Sequence, residues 1–130
     1  MSDLKKNDSI VDRKAYEFAL LIVQLYKQLS SDKKEFVLSK QLLRSGTSIG
    51  ANISEAISSE SKRDFVHKLS IGLKEARETL YWLNLLSDSA FIEKDKFLLA
   101  QDHCNQLIKL LNSIILTTKE RYLKEKISVL

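Results

Sequence analysis

Arg44-Ser-Gly-Thr-Ser-Ile-Gly-Ala-Asn-Ile-Ser-Glu-Ala56 is the stretch on which the fold turns. Leu42, Gly46, Ile49, Ile53 and Ala56 recur every three or four residues, which places them on one face of an α-helix. Gly costs about 1 kcal/mol against Ala inside a helix, so Ser45-Gly46-Thr47 is a point of weakness. The apolar stripe nevertheless passes through it without losing phase, and one helix is expected over about 34–58. The opposite face carries Gln41, Arg44, Ser48, Asn52, Glu55 and Ser59. Between Ser45 and Ser61 the only charged residues are Glu55 and Glu60. A solvent face is normally rich in Lys and Glu. A small, polar, charge-poor face suits close packing with a satisfied polar network, or, as the lesser alternative, a ligand or RNA surface. Gly46-x-x-x-Gly50 also lets another backbone approach closely.

The same periodicity extends on both sides. Val11, Ala15, Phe18, Ala19, Ile22, Leu25, Tyr26 and Leu29 predict a helix over about 10–29. It should stop in Ser30-Ser31-Asp32, where Asp32 and Glu35 resemble a capping box for the next helix. Ser58 to Ser61 is a second stop, and Ser61 with Asp64 a second start signal. Phe65, Leu69, Gly72, Leu73, Ala76, Leu80 and Leu83 predict a helix over about 62–86. Phe97, Ala100, Cys104, Leu107, Ile108, Leu111 and Ile115 predict a last one over about 94–122. The connections are short, which favours antiparallel neighbours. The expected fold is therefore all-α: one domain over 1–130, an up-down antiparallel four-helix bundle. Composition agrees, because a chain with no Pro and three Gly is poorly equipped for tight turns and free to form long helices.

An antiparallel pairing about residues 59–61 makes facing positions of the second and third helices sum to about 120. Arg44 should then pair with Glu75 or Glu78, and Asn52 should lie near Lys68. If that ion pair is buried, losing one partner should cost about 3–5 kcal/mol. Gly46, Gly50 and Gly72 should all sit where these two helices touch, with Gly72 roughly opposite Ser48.

A solitary bundle needs one apolar stripe per helix, and these helices carry more. Ile71, Tyr81, Trp82 and Leu85 lie off the core stripe of the third helix, with Glu75 and Glu78 among them. Leu20, Leu21 and Val23 do so on the first, and Leu98, Leu99, Leu110 and Leu116 on the fourth. Extra apolar surface on several helices points to self-association. The net charge of +4 is dispersed: 11 basic and 9 acidic residues up to residue 65, then 10 and 8. This permits nucleic-acid binding without demanding it. The candidate phosphate contacts are Lys62, Arg63 and Lys68, then Lys119, Arg121, Lys124 and Lys126. The longest apolar run, Phe18 to Val23, is far short of the roughly 20 residues of a membrane span. With no signal peptide visible, the cytoplasm is the expected location.

The stretch from Arg44 to Ala56 resembles the signature of the bacterial four helix bundle protein family, encoded in intervening sequences of 23S ribosomal RNA genes. Phe65, Leu69, Leu73, Glu75, Ala76, Glu78, Thr79 and Leu83 strengthen the likeness, which covers nearly the whole chain. The resemblance implies an up-down four-helix subunit assembling as a homopentamer. It also implies kinship with the pentameric accessory protein of diversity-generating retroelements, a basic barrel that works with a reverse transcriptase and RNA. The biochemical role of the ribosomal-intervening members is not settled, and fold alone does not carry function across.

Catalytic patterns are thin. One Cys excludes a disulfide framework and a Cys-based zinc site. His103 and Cys104 are adjacent, so on a helix they diverge by about 100° and form no nucleophile–base pair. Cys104 reads as a core filler. Glu-x-x-His, needed twice by a di-metal carboxylate bundle, is absent. No phosphate-loop motif follows Gly46 and Gly50. Arg63-Asp-Phe-Val-His67 is one residue short of the Arg-to-His spacing in HEPN-class ribonucleases, which leaves ribonuclease activity as a remote alternative. The expected function is a non-catalytic, cofactor-free, homo-oligomeric scaffold that binds RNA or a ribonucleoprotein. The alternative is a protein-interaction module that binds no nucleic acid.

Overall fold

Each 3.6-residue stripe turns inward, and the stripes meet in one shared core. The computed structural model describes residues 2–129, with side chains over 10–129. The elements are α1 (Ser2–Ser31), α2 (Leu38–Ile57), α3 (Lys62–Asp88) and α4 (Lys94–Val129). Each helix packs on the next in sequence, and α4 closes the square against α1. Among the described residues the backbones of the diagonal pairs stay apart, and only side chains fill the space between them. Phe18 and Ile22 of α1, Leu42, Ile49 and Ile53 of α2, Leu69, Leu83 and Leu86 of α3, and Leu107 and Leu111 of α4 are fully buried. The α2–α3 pairing is the most extensive and the α1–α4 seam the thinnest. Two polar contacts tie that seam, Lys14 Nζ to Gln106 Oε1 at 3.3 Å and Lys96 Nζ to Gln28 Oε1 at 3.0 Å.

The helix ends depart from expectation in instructive ways. α2 begins at Leu38, not near 34, because Lys34 adopts a left-handed φ of 54°. Its first turn is capped by Glu35 rather than by an Asp32–Glu35 box. One Glu35 carboxylate accepts the backbone N–H groups of Val37, Leu38 and Ser39 at 3.1, 2.9 and 2.7 Å. Burial raises the pKa of this carboxyl, but the backbone N–H groups, helped by the Ser39 side chain, outweigh it. The carboxyl is left below its ordinary value. Ser61 does cap α3 as expected, its hydroxyl accepting from Asp64 N at 3.1 Å. α3 then runs two residues past 86 and ends in a Schellman turn. Phe91 N donates to Leu86 O at 2.9 Å and Ala90 N to Ser87 O at 3.0 Å, with Ala90 left-handed at φ 64°. α1 starts well before residue 10, and α4 continues to Val129 rather than stopping near 122. No Gly or Pro follows Gly72, and Lys, Glu and Arg propagate a helix well, so nothing in the sequence stops α4.

The glycines are also reassigned. Only Gly72 lies on the α2–α3 contact, against the Ile49 carbonyl, Asn52 and Ile53 rather than opposite Ser48. Gly46 and Gly50 face α1 instead. A Cβ on Gly46 would sit 2.8 Å from Ile22 Cγ1 and 2.9 Å from its Cγ2, whereas one on Gly50 would meet Ala15 at 3.6 Å. The antiparallel register itself is right to within a few positions.

Candidate functional site

Two polar constellations stand out, one on the α2–α3 face and one at the end of the bundle where α3 begins. The first is built around Arg44. Its Nη1 lies 3.2 Å from Glu75 Oε2, its Nη2 bonds Glu78 Oε2, and its Nε donates to Gln41 at 3.2 Å. Glu78 Oε2 also accepts from Trp82 Nε1 at 2.9 Å. Arg44 thus pairs with both expected carboxylates. The pairs are not buried, however: the Arg44 side chain is 48% exposed. The 3–5 kcal/mol cost expected for a buried pair therefore does not apply, and about 1 kcal/mol per pair is the appropriate scale. The pair therefore sits on the rim of the α2–α3 contact and not within it.

Ser48, Asn52 and Glu55 do not join this cluster. Ser48 and Asn52 bond back to carbonyls of their own helix, Ser48 Oγ to Arg44 O at 2.6 Å and Asn52 Nδ2 to Ser48 O at 2.9 Å. Glu55 pairs with Lys68 at 2.9 Å, the place expected for Asn52. The buried polar link between α2 and α3 is instead a hydroxyl pair, Thr79 Oγ1 to Ser45 Oγ at 3.0 Å, both residues fully buried. Sequence reading missed it because the stripe was traced through apolar residues and Thr79 is polar. Its signal was its phase with Ala76 and Leu83.

The extra apolar residues divide. Trp82, Leu21 and Leu110 pack against the subunit's own core. Ile71 and Leu85 are half-buried. Tyr81, edge-on to Trp82 with centroids 5.0 Å apart, is 60% exposed, and Leu20, Leu98, Leu99 and Leu116 are about half exposed. Part of the α3 line expected at an interface is therefore absorbed within the chain.

The second constellation joins segments more than fifty residues apart. Lys62, Arg63 and Val66 of α3 line a groove with Thr118, Lys119 and Tyr122 of α4, of about 310 Å³. Lys62 pairs with Glu125, and Lys126 Nζ lies 5.0 Å from the centre of the Tyr122 ring. Lys68, Arg121 and Lys124 belong to the same end but not to the groove, with Arg121 and Lys124 exposed on α4. Segments 60–68 and 117–129 hold Lys62, Arg63, Lys68, Lys119, Arg121, Lys124 and Lys126 against Glu60, Asp64, Glu120 and Glu125. With Glu55, the partner of Lys68, counted among the acids, these residues carry a net charge of +2, half of the chain's +4. Tyr122 was not among the sequence candidates. Its position three residues after Lys119, on one helix face, was the available signal.

Cys104 is buried, its Sγ 3.2 Å from the Ala76 carbonyl, and burial pushes its thiol pKa up to about 12. Such a thiol is a packing group. His67 is exposed and lines no part of the groove. No group of three or more His, Cys, Asp or Glu among the described residues is placed to hold a metal, and no helix there is long and apolar enough to cross a membrane.

The family model described as 23S rRNA-intervening sequence protein matches residues 7–113. A solved structure from Bacteroides thetaiotaomicron is similar to this one. It is a protein of unknown function from the S23 ribosomal protein family, with a TM-score of 0.83 and 51% sequence identity over 84% of this chain and 97% of that chain. No curated protein matches.

Proposed function

The chain belongs to the 23S rRNA-intervening sequence protein family, and from that premise we propose that it is a non-catalytic, homo-oligomeric helical scaffold that binds RNA or a ribonucleoprotein. One observation carries the reading: basic segments distant in sequence converge at one end of the bundle, where Lys62, Arg63 and Lys119 line one groove. Lysines and arginines in such a patch contact phosphates, which position a nucleic acid by shape and charge rather than by base sequence. The buried Cys104 thiol, with its pKa raised by burial, acts as a packing group and not as a nucleophile. Self-association is supported by the exposed Tyr81, Leu20, Leu98, Leu99 and Leu116, and the family resemblance favours five copies.

The test is binding of a labelled RNA to the full chain at low salt and again at physiological salt. Binding that weakens steeply with salt supports the reading. Undetectable binding of RNA at low salt sinks it. Light scattering on the same sample addresses assembly, where a mass of one subunit refutes it.

The same exposed apolar residues favour a second reading, a protein-interaction module. Pull-down from cells with and without nuclease treatment separates the two. A partner retained after nuclease treatment belongs to the second reading, and one lost belongs to the first.

A further inference from the structure

Resting on the nucleic-acid reading, we propose that the α3–α4 groove is a binding site for single-stranded nucleic acid. An unpaired base would stack on Tyr122, and the adjoining phosphates would lie against Lys62, Arg63 and Lys119. Three observations converge on this occupant. The groove, of about 310 Å³, is at the small end of ligand-sized sites and takes a base with its phosphate, not a duplex. Its apolar lining comes from Val66 and the Tyr122 ring, and its charged lining is entirely cationic: Lys62, Arg63 and Lys119. Tyr122 is 43% exposed, so the ring is reachable. Aromatic faces bordered by cations are how proteins hold unpaired bases, because every base presents a π-face while its backbone presents charge. A site built for duplex shape would have no use for the ring.

The residues that now occupy the groove are replaceable. Lys62 is held by Glu125, whose side chain is 62% exposed, and Lys126 lies over the ring at 5.0 Å. Exposed ion pairs of this kind contribute little, so an incoming phosphate can displace Glu125 from Lys62. Lys126 then serves as a further phosphate partner. Thr118 offers no competing hydroxyl, since its Oγ1 donates to Ile114 O at 2.7 Å. Among the described residues Arg63 and Lys119 form no ion pair. The matched family region ends at residue 113, whereas Thr118, Lys119 and Tyr122 lie beyond it. The groove therefore combines Lys62, Arg63 and Val66 from within the matched region with three α4 residues from beyond it.

The experiment measures fluorescence anisotropy of a labelled single-stranded oligoribonucleotide, its single-stranded DNA counterpart and the matching RNA duplex. Each is titrated with the full chain and with three variants. The two single strands are expected to bind more tightly than the duplex. Tyr122→Ala should weaken single-strand binding roughly 5- to 150-fold, the range of base-stacking losses. Tyr122→Phe should keep it. Glu125→Gln should tighten it, since Lys62 is released. Helix content by circular dichroism shows that each variant is folded. Equal or tighter duplex binding, or single-strand affinity indifferent to Tyr122→Ala, overturns this site while leaving the broader RNA reading intact. No binding of any probe at low salt overturns both.

Discussion

Replacing Gly46 by Ala separates a helix's intrinsic preference from what the fold allows. Preference alone says that Gly→Ala in the middle of α2 gains about 1 kcal/mol. The structure reverses the sign. The new methyl would lie 2.8 Å from Ile22 Cγ1, 2.9 Å from Cγ2 and 3.3 Å from Cβ. These are the stem atoms of a β-branched side chain that is fully buried, so Ile22 cannot swing clear. Overpacking of this kind costs about 1–3 kcal/mol, leaving a net loss of roughly 1 kcal/mol after the propensity gain. Gly50→Ala is the internal control. Its methyl meets Ala15 at an ordinary 3.6 Å, so it should gain about 0.5–1 kcal/mol. The two variants should differ by about 2 kcal/mol, which for a chain of 130 residues is roughly 6–10 °C in Tm. Thermal and urea unfolding followed by circular dichroism, at one fixed protein concentration, measures it. The double variant Gly46→Ala with Ile22→Ala should cost less than the two singles together, because the clash is gone. If Gly46→Ala proves as stable as Gly50→Ala, the α1–α2 spacing described above is wrong.

Arg44→Ala should cost only about 1–2 kcal/mol in urea unfolding, because both of its ion pairs are exposed; a loss of 4 kcal/mol would mean the cluster is buried in the working protein. Glu35→Ala should cost about 1–2 kcal/mol at pH 7 through loss of the α2 cap. Because the folded-state pKa of Glu35 is lowered, its contribution is present above the unfolded carboxylate pKa and is lost as pH falls through the folded one. The gap between wild type and variant should therefore close in acid, and a gap that widens would refute the capping assignment. Cys104 should not react with a thiol reagent at pH 8 in the folded protein and should react fully in denaturant, as expected of a buried thiol with a pKa near 12.

Four helices and their antiparallel order were legible because burial writes a 3.6-residue period into each segment, and short links leave few topologies. The pairing of Arg44 with Glu75 and Glu78 followed from that order alone. Its exposure did not, because it depends on how far α2 is rolled about its own axis, which no spacing records. The glycines were misassigned for the same reason: Gly46 is in phase with the core, but phase does not say whether α1 or α3 fills that side. The start of α2 was misplaced because one carboxylate, Glu35, reaches three N–H groups after a left-handed turn at Lys34. A left-handed Lys leaves no mark in composition. The basic end was half legible. Its cations were identified, but not their meeting across a gap of more than fifty residues, nor the tyrosine among them.

The thin α1–α4 seam bears on the order in which the molecule assembles. Every other helix contact joins neighbours in the chain, so α1–α2, α2–α3 and α3–α4 each close after a short loop. Such local contacts make for rapid folding. The seam alone must bring the first and last helices together, at the largest loop-closure entropy and with the least contact to offset it. It is therefore the last joint to close and the first to open, and an opened molecule keeps its α2–α3 hairpin and the seat of Ile22 against Gly46 of α2.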